Sequence, residues 1–279
     1  MSKGSQPIGL FDSGVGGLSV ARRVVELLPR ENTIYFGDTA RVPYGSKSTE
    51  TVIGYSLQAA AFLESLGVKM LIIACNTASA VALEPVRSAV SIPVIGVISP
   101  GARAAVETSR SKIVGVIGTE GTVRSSSYQN AITALEGSAS VYAQACPLFV
   151  GLAEEGLDHH PATLIMAREY LAPLLRHSID TLILGCTHYP LLIPSIAEIA
   201  GPGVTLIDPG VATAMQAHTM LEELGLLNES DSLPRHEYYL SDFPHKFIEV
   251  GSRFLGNPLQ HVHRITLDEL EVGGMKDER

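Results

Sequence analysis

Short apolar runs alternate with stretches of helical period along most of the chain. Ile8 to Phe11 is the first apolar run, and it breaks off at DSGVGG. Leu18, Ala21, Val25 and Leu28 then recur at helical spacing until Pro29, which predicts an amphipathic helix with a defined stop. Thr33 to Phe36 predicts a second strand, followed by the turn-rich GDTARVPYG. Ile53, Leu57, Ala60 and Leu63 predict one face of a helix that starts at Thr49 and ends by Gly67. Lys69 to Ala74 predicts a third strand that delivers Cys75, and Ile92 to Ile98 a fourth. Strand and helix in this alternation predict a wound, parallel sheet.

The pattern then starts again. Lys112 to Ile117 followed by GTEGTV parallels the first strand and its glycine-rich turn. A helix with Tyr128, Ile132 and Leu135 on one face comes next, then a strand over Val141 to Ala145 that ends at Cys146-Pro147. Leu164, Leu171 and Leu175 mark a helix after Pro161, and the run from Thr181 to Leu184 delivers Cys186. The separation of Asp12 from Cys75 nearly equals that of Gly118 from Cys186, as expected of a duplication. The predicted fold class is α/β: two similar lobes, each a mostly parallel sheet flanked by helices, related by an approximate two-fold axis. IGVISPG at 95–101 and LIDPG at 206–210 resemble one another and read as crossovers. Residues 1–97 with 211–279 are therefore expected to form the first lobe and 98–210 the second. The stretch 227–235 reads as a polar loop, and the terminal MKDER as a disordered tail.

Composition narrows the class. Of 279 residues, 46% are hydrophobic and 18% charged, and the formal net charge is −9. That balance, without a Lys/Arg run, argues against nucleic acid as a partner. Three cysteines do not make a disulfide framework and fit a reducing compartment. The polar start MSKGSQP has no signal core behind it, and no apolar run approaches the roughly 20 residues that span a bilayer. The expectation is a soluble cytoplasmic protein without membrane contact.

The chemistry lies in two matching strand ends. Each of two apolar runs stops at a cysteine with a polar sequel: Cys75-Asn76-Thr77 and Cys186-Thr187-His188. In open parallel sheets ligands bind outside the carboxyl ends of the strands, so both thiols are expected to face one pocket. A thiolate is basic and nucleophilic, and its pKa falls at a helix N-terminus; both cysteines are expected to precede helices. The N–H groups there, with Asn76, Thr77 and Thr187, suit a carboxylate, and Asp12 and His188 are the proton handlers beside the thiols. Taken singly, either cysteine is explained as a small buried hydrophobe, and the polar residues as caps and turn formers. Two cysteines with the same setting are poorly explained that way. Cys146 lacks the polar sequel and belongs to the core. His159-His160 reads as an exposed helix start, and His261 and His263 as surface. GVGG misses the dinucleotide fingerprint because Ser19 stands at its third glycine, and neither GxxxxGK[ST] nor HExxH occurs. Cys75, Cys186 and His188 are conceivable metal ligands, but close-spaced CxxC pairs are absent, so neither metal nor cofactor is expected.

FDSGVGGLSV (11–20), GDTARVPYG (37–45), ACNTASA (74–80), GTEGTV (118–123), ACPLFVGLAEEG (145–156) and GCTHYPLL (185–192) together resemble the glutamate racemases. These are cofactor-independent enzymes that supply D-glutamate for bacterial peptidoglycan. The resemblance runs from Ile8 to about Phe254. It implies two lobes with the active site between them, L- and D-glutamate as substrate, and a homodimer. It implies that Cys75 deprotonates D-glutamate with help from Asp12, and that Cys186 deprotonates L-glutamate with help from His188 and Glu154. Asp38 is a further candidate near the first thiol. Implied substrate contacts are Asp12, Ser13, Tyr44, Gly45, Asn76, Thr77, Thr187 and His188, with Pro43 and Thr122 as additions. Gly151 departs from the family pattern in what reads as a loop. The rival readings are an aspartate racemase, an amino-acid binding protein without turnover, and a thiol redox or metal protein.

Overall fold

The computed structural model describes residues 3–243 and 247–273; the MKDER tail lies outside them. The first lobe begins β1 (Ile8–Asp12), α1 (Leu18–Leu27), β2 (Thr33–Gly37), α2 (Thr49–Ser65), β3 (Met70–Ile73), α3 (Asn76–Ala89) and β4 (Val94–Gly96). After α4 (Ile98–Thr108) the second lobe runs β5 (Ile113–Gly118), α5 (Glu120–Arg124), α6 (Ser127–Leu135), β6 (Ser140–Ala145), α7 (Leu148–Glu154), α8 (Pro161–Leu175), β7 (Thr181–Gly185), α9 (Ile193–Ala200) and β8 (Thr205–Ile207). The chain ends with α10 (Pro209–Glu223), β9 (His236–Leu240), α11 (Phe247–Leu255), β10 (Val262–Arg264) and α12 (Leu267–Gly273).

Every strand pair is parallel. The first sheet has the order β10-β9-β2-β1-β3-β4 and the second β6-β5-β7-β8. Within each, the second strand of the unit comes first, then the first, third and fourth, so the duplication extends to topology. The segment after α10 adds β9 and β10 to the first sheet at β2. Strands β1, β2, β3 and β7 are buried along their whole length, as expected where helices cover both faces of a parallel sheet.

The helix faces match the sequence reading at Leu18, Ala21, Ala60, Leu63, Tyr128, Ile132 and Leu171, which are buried, and differ at other positions. In α1 the chain buries Val24 rather than Val25. In α2 it buries Val52, Ser56, Ala59 and Leu63, while Ile53 and Leu57 are half-buried. Leu135 of α6 is exposed, and α8 turns Leu174 inward rather than Leu164 or Leu175. The fourth strand is also shorter than predicted: Ile98 already belongs to α4, which takes Ser-Pro-Gly into its first turn. Pro100 fits there because the first turn of a helix has no intrahelical partner for its N–H groups. Gly151 sits inside α7 and not in a loop. Among the described residues no helix is long and apolar enough to cross a membrane.

Candidate active site

The carboxyl ends of the strands carry the chemistry. Asp12 closes β1, and Cys75 follows β3 as the N-cap of α3, its Sγ accepting the Ala78 N–H at 3.5 Å. Cys186 follows β7, but a 3-10 turn over Tyr189–Leu192 comes next, with α9 only after it. The expected helix directly behind the second thiol is therefore absent. Both sulfurs line one narrow cavity of about 50 Å³. Ser13, Pro43, Tyr44, Gly45, Asn76, Thr77, Thr187 and His188 line it too. Larger cavities lie elsewhere, one of about 500 Å³ beside Arg22 and His261 and one of about 520 Å³ between α4 and α10. Neither holds a thiol, so size does not mark the site.

Four candidates stand behind the cavity wall. Asp12 is 1% exposed; its Oδ2 accepts the Gly14 N–H at 3.0 Å, and its Oδ1 has no partner among the described residues. Glu154 reaches the site only through His188, its Oε1 lying 2.9 Å from Nε2. Thr122 sits behind Thr77, Oγ1 to Oγ1 at 3.4 Å. Asp38 has no hydrogen bond to a thiol among the described residues; it accepts hydrogen bonds from Tyr44, Arg41 and Ser241, so it braces the wall that holds Tyr44 and Gly45. Conversely, Thr119 and Val150 line the cavity and were not singled out from the sequence. Thr119 stood in the GTEGTV motif, where its N-cap bond to the Thr122 N–H was the available signal.

Glycine lets the DSGVGG turn approach the second lobe. A methyl group on Gly16 would lie 2.5 Å from the His188 ring, and one on Gly17 would lie 2.4 Å from the Asp12 Cβ. Ser19 fixes the same contact by donating to the Thr187 carbonyl at 2.8 Å. Asn76 is held from across the lobes as well: Tyr128 of α6 donates to its Oδ1 at 2.7 Å, which leaves its amide nitrogen without a partner among the described residues. Capping alone does not account for Asn76 and Thr77, because Cys75 is the cap of α3.

The two thiols are in different electrostatic surroundings. Burial pushes Cys75 up to about 12, and the Asp12 charge adds to this; the Ala78 N–H and Ser13 Oγ, 3.8 Å from Sγ, only partly offset it. The expected lowering at a helix N-terminus is thus outweighed by desolvation. Asp12 is raised as well by its burial, although His188 and the Gly14 N–H pull it down. On the other side, Cys186 Sγ lies 3.8 Å from His188 Nδ1. Burial alone would lower His188, but its bonds to Cys186 and Glu154 outweigh that and bring it to about 10. Among the described residues Cys75, Cys146 and Cys186 are all free thiols, and no three His, Cys, Asp or Glu side chains gather as a metal site.

Two thiols, one from each lobe, thus face one cavity, Cys75 with Asp12 behind it and Cys186 beside His188. A family model for Asp/Glu/Hydantoin racemase matches residues 8–217. The chain is 52% identical to the glutamate racemase of Geobacter metallireducens over 94% of its own length and 97% of that protein. It belongs to the glutamate racemase family. A second family member, from Syntrophus aciditrophicus, is 49% identical over 94% of this chain and 97% of its own. The crystal structure of the Francisella tularensis glutamate racemase in complex with D-glutamate superposes with a TM-score of 0.89 and 41% identity, covering 95% of this chain and 99% of that one. The chain is accordingly an amino-acid racemase, an isomerase, with the two-lobed α/β architecture of these enzymes.

Proposed function

We propose that this racemase interconverts L- and D-glutamate by moving the α-proton between two cysteines. The observation that carries the reading is the single cavity lined by Cys75 from the first lobe and Cys186 from the second. One base on each face of the α-carbon removes a proton from one side while its counterpart returns one from the other. In this reading Cys75 acts on D-glutamate and Cys186 on L-glutamate. The unpartnered Oδ1 of Asp12 accepts from the substrate ammonium and passes charge changes to Cys75. His188, steadied by Glu154, does the corresponding work at Cys186. Ser13, Thr77, Thr119 and Thr187 hydroxyls with the free amide of Asn76 suit the carboxylates, and Pro43, Tyr44 and Gly45 close the wall beside them. Thr122 acts through Thr77.

An α-proton flanked by a carboxylate is very weakly acidic, so preorganised donors and exclusion of water have to stabilise the carbanion. The buried, narrow cavity supports that requirement. The D-glutamate bound to the Francisella tularensis relative supports the substrate. We read the division into 1–97 with 211–279 and 98–210 as the two lobes that close on it, since the strands segregate that way. Supply of D-glutamate for peptidoglycan, action in the cytoplasm and a homodimeric state belong to the same proposal.

The test is turnover in heavy water with no added cofactor, followed by NMR and chiral analysis. Each enantiomer is expected to give its mirror image carrying deuterium at the α-carbon. Folded protein that exchanges neither enantiomer would refute the reading, and turnover of aspartate in preference to glutamate would move the substrate.

A further inference from the structure

A second cavity, of about 280 Å³, adjoins the first and shares Thr77 with it. The partition between the two is thin. A methyl group on Gly121 of α5 would lie 2.9 Å from the Gly45 carbonyl oxygen and 3.1 Å from Thr77 Cγ2. Gly45 and Thr77 face the thiols on one side of that contact, and Gly121 faces the outer cavity on the other. The close approach places the outer cavity at the seam of the lobes, beside the catalytic cavity.

Its chemistry is one-sided. Lys47, half-buried in the loop before α2, and Arg124, exposed at the end of α5, both line it, and no carboxylate of the described residues does. Thr49 and Ser125 add hydroxyl groups. Neither cation has an ion-pair partner among the described residues. In a chain with a net charge of −9, two unneutralised cations from opposite lobes in one concavity form a local reversal of sign. Concavities lined by one sign of charge concentrate ligands of the other sign, and the effect weakens as salt is added.

We propose that Lys47 and Arg124 form an outer anion site that takes a carboxylate of the incoming amino-acid dicarboxylate before it reaches the thiols. The inference rests on the glutamate reading, because its ligand is that substrate. The site works against the repulsion that a chain of net negative charge exerts on an anionic substrate, and it serves both enantiomers alike since it lies away from the α-carbon chemistry. Its contribution falls on substrate capture and not on proton transfer.

Steady-state kinetics on Lys47→Gln/Arg124→Gln test this, with glutamate supplied as either enantiomer. KM is expected to rise about fivefold in both directions with kcat and the melting temperature unchanged. Salt raised from about 20 to about 300 mM should raise KM for wild type but not for the double variant, in which salt screens only the remaining repulsion. Lys47→Arg should keep the wild-type KM and salt response. A double variant with wild-type KM and salt response overturns the proposal, as does one that loses kcat at unchanged KM. Wild type that racemises no glutamate defeats the proposed function itself, whereas active wild type with an indifferent double variant defeats only the outer site.

Discussion

The two thiols stand at equivalent places in duplicated lobes, yet their surroundings differ. Cys75 is capped on a long helix, touches Ser13 and has a buried carboxyl, Asp12, behind it. Cys186 has no such helix; an imidazole tied to Glu154 lies beside it. One side holds its proton tightly and the other pairs its sulfur with a group protonated up to about 10. Equivalent topology has therefore been given different surroundings, a buried carboxyl behind one sulfur and an imidazole beside the other. A symmetric pair of thiolates would lack a proton to return.

The largest effects should come from removing either helper. Asp12→Asn and His188→Asn are each expected to lower kcat by about 10²- to 10⁴-fold, the usual weight of a positioned acid or base. Asp12→Asn should cost D-glutamate turnover most in the step that Cys75 begins, and His188→Asn the step that Cys186 begins. Single-turnover kinetics from each enantiomer separate them; equal loss in both directions would erase the comparison. Gly16→Ala disturbs only the second side, since its methyl meets Thr187 and His188. A displacement on the order of 1 Å at reacting groups costs about 10²-fold, and that loss is expected in kcat with the fold retained by circular dichroism.

Tyr128→Phe is a smaller probe. It removes the hydroxyl that holds the Asn76 amide, a net interaction of about 1 kcal/mol, so KM should rise roughly fivefold with kcat kept. A changed kcat at constant KM would contradict a role in substrate binding.

Glu154→Gln is the mildest. His188 lies above its ordinary 6.5 partly because Glu154 faces it. A raised folded-state pKa stabilises the protein fully below the ordinary value, and that stabilisation is lost as pH rises through about 10. The basic limb of the pH–rate profile should fall in the same region. With Glu154→Gln it should move to lower pH, while activity at neutral pH changes only a few-fold.

Much of this was readable before any coordinates. The matched strand ends disclosed both thiols, and the alternation of apolar runs disclosed the paired sheets. What escaped the sequence depends on packing. In α1 and α2 the apolar spacing named Leu18, Ala21, Ala60 and Leu63 correctly, whereas Val25, Ile53 and Leu57 fall at the edges of faces that are set by the neighbours they meet. Helix α4 was hidden because IGVISPG reads as a crossover, although the first turn of a helix tolerates proline. The ionisation of Cys75 was misjudged for a related reason. A helix N-terminus is visible in a sequence, but the desolvation that outweighs it comes from residues brought in from other strands. Asp38 likewise appeared catalytic by its motif, and only the fold reveals that its partners are Tyr44, Arg41 and Ser241.

The most direct test uses glutamate deuterated at the α-carbon with Cys75→Ser and Cys186→Ser. Each substitution weakens one base and leaves the other intact. With Cys75→Ser, abstraction from D-glutamate should become slower and show the larger isotope effect, while abstraction from L-glutamate by Cys186 shows a smaller one. Cys186→Ser should reverse that pattern, and racemisation should be strongly reduced in both. Isotope effects equal in the two directions for both variants would contradict a cysteine on each face of the substrate.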